Sequence, residues 1–314
     1  MLRWVPIMLF VLAAAAPAFS DGVMIMTEEM WRQHREHSMI NEPEQKAVVF
    51  FSKGTEQLII SPSYEGSASS FAWLIPVPAR PKVEILKGAI FHELAKLVMP
   101  KRPVTKGRGD FELSAPGVTV IERKTVGAYD VSVLSATDSQ ALMKWLATNK
   151  YHLPPMAEGP VRGYIADKWT FVACRVKTPS SAKGLQTGTL APLRFTFKTK
   201  KPVYPLKLSS ANPKPFDLLV YLILPTAEVG KAETVSVTGI PRVQGTSKTY
   251  RSAVASGYPW KRRAYPTLAG LYKGEMQIYV QREYPNPRDC TQDIYWTLPS
   301  RSAAAPAGKA ASGG

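Results

Sequence analysis

Unbroken apolar stretches in this chain are short, rich in aromatic and β-branched residues, and closed by prolines. Phe71-Ala72-Trp73-Leu74-Ile75 runs unbroken into Pro76-Val77-Pro78. A run of that length and composition predicts a strand buried on both faces rather than a helix. Proline has no backbone donor, so the ladder is expected to end at Pro76 and Pro78 or to lie on an edge there. Leu218 to Leu224 repeats the pattern and closes at Pro225, and Tyr295-Trp296-Thr297-Leu298 closes at Pro299. No fixed period links these segments, so proline-ended buried strands account for them better than internal duplication.

Strand formers also fill Lys46 to Ser52 and Thr55 to Ser61, which read as a hairpin around Lys53-Gly54. Further strands are predicted over Val118 to Lys124, Val126 to Ser135, Lys168 to Lys177, Leu193 to Thr199, Thr234 to Thr238 and Met276 to Glu283. In Phe195-Thr196-Phe197 the alternation puts both phenylalanines on one face. Three helices interrupt the strands. Thr27 caps a segment running to about Ser38, with Glu28 and Glu29 at its positive end. Gly88 to Met99 carries Ile90, Phe91, Leu94, Leu97 and Val98 at helical spacing and stops at Pro100. Thr137 caps the third, which runs to about Asn149 with Leu142, Trp145 and Leu146 on one face, before Leu153-Pro154-Pro155 breaks the chain. The whole reads as α+β, β-rich, with mostly antiparallel strands and three inserted helices.

Length and composition set the organisation. The chain has 314 residues, of which 45% are hydrophobic, enough for a sizeable core in one large domain or two ordinary ones. Residues 1–20 join a basic start at Arg3 to an apolar core from Ile7 to Ala16 and small residues at Ala18 and Ser20, the pattern of a cleaved signal peptide. An N-terminal β-rich part with helices then spans 21–150 and a C-terminal β-rich part spans 151–299, with one continuous core as the alternative. Residues 300–314 fall to Ala, Gly, Ser and Pro and read as a disordered tail. No later segment has the ~20 apolar residues of a membrane helix. The expected location is therefore outside the cytoplasm, periplasmic or secreted.

Export changes how charge and cysteine are read. Forty basic residues against 24 acidic give a net charge of +16, which favours acidic partners. Outside the cytoplasm those are anionic envelope polymers or lipid head groups, and nucleic acid is not expected. An oxidising compartment permits a disulfide between Cys174 and Cys290. Strand alternation also places Cys174 with Val172 and Val176 on a core-facing set, so a buried inert thiol is the alternative.

Candidate chemistry is sparse. His34 and His37 lie three apart on a predicted helix and share a face, but no third ligand is near, and two exposed polar residues explain them as well. His92-Glu93 lacks the second histidine of a zinc-protease helix, because position 96 is Lys96. The sequence has no nucleophile elbow, phosphate loop or dinucleotide fingerprint, so no cofactor is expected. Tyr258-Pro259-Trp260-Lys261-Arg262-Arg263-Ala264-Tyr265 interleaves aromatics with cations. Tyr258, Trp260, Lys261, Arg262, Arg263 and Tyr265 are thus candidate ligand-binding residues, set against a loop whose rings pack inward. Lys198, Lys200 and Lys201 form a second basic cluster beside a turn, read as an exposed strand end.

Several blocks carry a family resemblance. Tyr64-Glu65-Gly66 followed by Phe71 to Pro78, with Gln45-Lys46-Ala47, Gly127-Ala128-Tyr129-Asp130-Val131, Pro192-Leu193-Arg194-Phe195 and Pro202-Val203-Tyr204-Pro205-Leu206, resembles a bacterial exported family, domain of unknown function 2330. That family has no assigned activity, so the resemblance implies no catalytic residue. The expected role is a non-catalytic binding or scaffolding protein of the bacterial cell envelope. The alternative is an extracytoplasmic hydrolase whose site is assembled only in three dimensions.

Overall fold

The computed structural model describes residues 23–26, 44–61, 63–66, 70–98, 124–126, 129–135, 139–177, 186–189, 191–243, 245–251 and 264–299. Its first strands are β1 (Val23–Met26), β2 (Glu44–Ser52), β3 (Thr55–Ile60), β4 (Ser63–Gly66), β5 (Ser70–Val77) and β6 (Lys82–Ile85). After the helix Ile90–Val98 come β7 (Lys124–Val126) and β8 (Tyr129–Ser135). The helices Ser139–Thr148 and Pro155–Ala166 lead to β9 (Thr170–Lys177), β10 (Gln186–Thr189), β11 (Leu193–Lys198) and β12 (Val203–Tyr204). A 3-10 turn at Lys207–Ala211 precedes β13 (Asp217–Pro225), and the short helix Thr226–Val229 precedes β14 (Thr234–Thr238) and β15 (Thr246–Tyr250). The helix Pro266–Leu271, β16 (Met276–Glu283), a 3-10 turn at Pro287–Asp289 and β17 (Ile294–Thr297) complete the described chain.

The protein is α+β and β-rich, and its strands are mostly antiparallel. A six-stranded sheet in the order β16-β13-β2-β3-β11-β6 lies at the centre. Its one parallel pair is β13 with β2, which sets Val220 opposite Ala47 and Ile223 opposite Phe50. A five-stranded sheet runs β1-β5-β9-β8-β7, a four-stranded sheet β12-β17-β14-β15, and β10 pairs with β4. Strands from both sides of residue 150 share the two larger sheets.

Burial on two faces explains the unbroken apolar runs. In the central sheet, Ala47, Val49, Phe51, Leu58 and Phe195 face the main core. Val48, Phe50, Ile59, Tyr221 and Ile223 face the other way, against Ile90, Leu94 and Leu97 of one helix and Leu268 and Leu271 of another. Where both faces are covered the strand is apolar throughout, as from Ala47 to Phe51, whereas β11 keeps an alternation of buried Leu193, Phe195 and Phe197 with the less buried Arg194, Thr196 and Lys198. The β5 run is likewise wholly buried from Phe71 to Ile75. Trp73 lies edge-on to Phe195 with ring centroids 6.3 Å apart, which packs the five-stranded sheet against the central one. β1 pairs with β5 only from Phe71 to Leu74, so among the described residues Pro76 has β9 alone as its neighbour. Among the described residues that is the edge position expected for a proline in a strand.

The Lys53-Gly54 hairpin forms as the pattern predicts, with β2 and β3 on either side. The helices at Ile90–Val98 and Ser139–Thr148 also match their predicted segments, while the segment from Thr27 to Ser38 lies outside the described residues. Leu153-Pro154-Pro155 lies at the break between two helices, as read, but the second of them was not predicted. Pro155 opens the helix Pro155–Ala166, because at a first helical position its fixed φ suits the helix and its missing donor costs nothing. No described helix is long and apolar enough to cross a membrane.

Candidate functional site

Two turns meet at one end of the central sheet. The β2–β3 turn holds both Lys53 (φ 48°) and Gly54 (φ 71°) in the left-handed region, the form that suits a two-residue hairpin. The Gly54 carbonyl accepts a 3.1 Å bond from the Thr199 amide in the turn after β11. That bond gathers Lys53, Lys198, Lys200 and Lys201, all exposed, around one edge. Lys198 Nζ donates to Thr55 Oγ1 at 2.7 Å, and Lys201 Nζ stands 4.5 Å from the centre of the Tyr295 ring. Glu228 is the acid at this edge: it accepts from the Lys53 amide at 3.1 Å and from the Ser52 hydroxyl at 2.5 Å.

Glu56, next along β3 from Thr55, is fully buried. Its Oε2 accepts from the Val203 amide at 2.9 Å, and its Oε1 has no partner among the described residues. Burial pushes this carboxyl well above the usual range, against the smaller opposing effect of the Val203 bond. The four exposed lysines concentrate positive charge beside the Tyr295 ring, an arrangement suited to phosphate or carboxylate groups.

A buried polar seam continues from there. Tyr204 donates to Gln45 Oε1 at 3.0 Å and Gln45 Nε2 donates to Ser209 Oγ at 2.7 Å. Asp293 is almost wholly buried and accepts from the amides of Leu206 at 2.9 Å and Lys207 at 3.0 Å and from the Tyr164 hydroxyl. Lys207 Nζ completes the group 3.3 Å from Asp293 and 4.4 Å from the centre of the Tyr164 ring. These bonds tie the helix Pro155–Ala166, the turn at Lys207–Ala211 and the start of β17 together, and they occupy the Asp293 carboxylate.

Glu93 is occupied in the same way. It accepts from the Thr267 amide at 3.0 Å, the Thr267 hydroxyl at 2.7 Å and the Leu268 amide at 2.9 Å, capping the helix Pro266–Leu271 from a neighbouring helix. Its neighbour His92 is exposed. Among the described residues no three His, Cys, Asp or Glu side chains converge as a metal-holding group; His34 and His37 lie outside them.

Tyr258, Trp260, Lys261, Arg262 and Arg263 lie outside the described residues. Tyr265 is described: it is half-buried at the start of the helix Pro266–Leu271 and packs against the second core cluster. Cys174 and Cys290 are separate buried thiols, so the disulfide that export would permit is not formed. Cys174 sits between Trp73 and Val131 in the five-stranded sheet, and burial pushes its thiol far up, away from the reactive thiolate. Cys290 follows the turn at Pro287–Asp289, with Sγ 3.8 Å from the Asn286 carbonyl.

Lysines 198, 200 and 201 were legible in the sequence as a run. Lys53 was not, because it joins them through a hydrogen bond between residues far apart in the chain. Its position in a predicted turn was the one available signal.

The fold and its basic edge define a β-rich α+β protein with a surface suited to anions. The chain belongs to the family of uncharacterized proteins conserved in bacteria, domain of unknown function 2330, which matches residues 32–297. No curated protein matches it. Among solved structures it is similar to baculovirus P35, at 9% identity and a TM-score of 0.33, covering 88% of this chain and 100% of that one. A likeness that weak carries no reading of function. Family blocks meet in the structure, since Gln45 and Tyr204, from separate blocks, are the hydrogen-bonded pair of the buried seam.

Proposed function

We propose that this protein is exported from the bacterial cytoplasm and binds or scaffolds anionic polymers of the cell envelope. The observation that carries the reading is the exposed edge formed by Lys53, Lys198, Lys200 and Lys201, brought together where two turns meet. The net charge of +16 and the signal-like residues 1–20 support it. Polymers with repeated phosphate or carboxylate groups would meet several lysines at once, so the attraction is multiple and screened by salt.

Retention on an immobilised teichoic-type polyphosphate polymer tests the binding. The protein is expected to elute at moderate salt, and a K53Q/K198Q/K200Q/K201Q variant well before it. At about 1 kcal/mol per lysine near an anionic surface, the variant should lose on the order of a hundredfold or more in affinity at low salt. Elution of both proteins at the same salt would remove the lysine edge from the account. A second variant neutralising Lys261, Arg262 and Arg263 asks whether that loop contributes.

A further inference from the structure

A cleft of about 600 Å³ opens between the β14–β15 connection and the turn at Pro287–Asp289. Its residues include Thr238, Arg242, Thr246, Arg288, Asp289 and Gln292. The volume lies in the range of sites that hold small molecules. The lining combines two guanidinium groups with hydroxyl and amide groups.

Arg242 occupies an unusual place. The Val243 amide donates to the Ile240 carbonyl at 3.1 Å, closing a turn with Pro241 at its second position and Arg242 at its third. Arg242 has a φ of 66°. Proline followed by a left-handed residue is the pattern of a type II turn, whose third position favours glycine. Here an arginine holds that conformation, and its Nε donates to Asp289 Oδ2 at 2.6 Å. The bond fixes the side chain at the cleft while its terminal nitrogens have no partner among the described residues. The Arg288 guanidinium also has no described partner there. Two arginines against one aspartate leave the cleft with a net positive charge. Planar guanidinium groups suit carboxylate or phosphate oxygens, since each can donate two parallel bonds. Thr238, Thr246 and Gln292 supply donors and acceptors suited to hydroxyl groups.

We infer that this cleft is a binding site for a small acidic sugar, its carboxylate or phosphate held by Arg242 and Arg288 and its hydroxyls by the threonine and glutamine side chains. The inference rests on the two arginines and does not depend on the function proposed for the lysine edge.

Calorimetric titration of the full chain with glucuronate, glucose 6-phosphate, glucose and inorganic phosphate tests it. Both acidic sugars should bind and glucose should not; the stronger of the two identifies whether carboxylate or phosphate is preferred. Arg288→Ala and Arg242→Gly should each weaken binding at least about tenfold, the loss expected from a charge-assisted contact. Arg242→Gly places glycine where the turn favours it and Arg288 is exposed, so both variants should melt within a few degrees of the parent. The K198Q/K200Q/K201Q variant should bind as the parent does. Glucose binding as well as the acidic sugars, no binding by either acidic sugar, or unchanged affinity in both arginine variants would overturn the site. Inorganic phosphate binding as tightly as glucose 6-phosphate would overturn the assignment of a sugar.

Discussion

Glu56 is the residue whose environment departs furthest from its chemistry. It is a carboxyl in the main core, paired in register with Phe51 on one strand and Phe197 on the other, with one hydrogen bond and, among the described residues, one oxygen unpartnered. Its folded-state pKa is raised by burial above an unfolded value of about 4.3. Below that value the side chain is neutral in both states and has no effect on the pH dependence. As pH rises, the unfolded chain releases its proton first, so stability is lost progressively toward the folded-state pKa. Glu56→Gln keeps an acceptor for the Val203 amide and removes the ionisation. The variant should melt above the parent at pH 7, and the gap should close by pH 4; a gap that stays constant across that range would show that ionisation is not its cause. Single residues of this kind were invisible in the sequence. Thr55-Glu56-Gln57 reads as the polar opening of a hairpin strand, and only the chain returning at Val203 buries it. Asp293 was missed for the same reason, because its partners Tyr164, Leu206 and Lys207 come from distant segments.

At the scale of elements, the apolar runs gave the clearest signal. Two-sided burial leaves strands such as Leu218 to Leu224 apolar throughout, and that pattern is local, so it can be read along the chain. Short strands such as β6, β10 and β15 were not read, because Lys82-Val83-Glu84-Ile85 alternates over only four residues, Thr246 to Tyr250 is mostly polar, and both take their form from a neighbouring strand. The helix Pro155–Ala166 was hidden by its own first residue. The helix Pro266–Leu271 shows how one element sets another: it has no capping side chain of its own, and Glu93 supplies the cap. Sequence comparison with a zinc-protease helix singled out this glutamate, and its role is structural. Glu93→Ala should cost about 1–2 kcal/mol in urea unfolding, by leaving buried amides unsatisfied. A change within error would mean that the Ala89 amide's bond to Thr267 Oγ1 and the apolar contacts of Leu268 and Leu271 hold that helix unaided.

For the molecule as a whole, charge is the property that the proposed export would turn into function. An excess of 16 positive charges draws different partners on the two sides of a membrane, nucleic acid inside and envelope polyanions outside. The lysine edge, the reading of its partners and the relevance of an acidic sugar at the arginine cleft all gain their meaning from the compartment. Surface charge of this sort was legible only as a total; its concentration at one edge required the two turns to meet. The most direct measurement is the N-terminal sequence and cellular fraction of the native protein from its bacterium. The account predicts a chain that begins at Asp21 and is recovered outside the cytoplasm. A product that keeps Met1 and stays in the cytosol would contradict it.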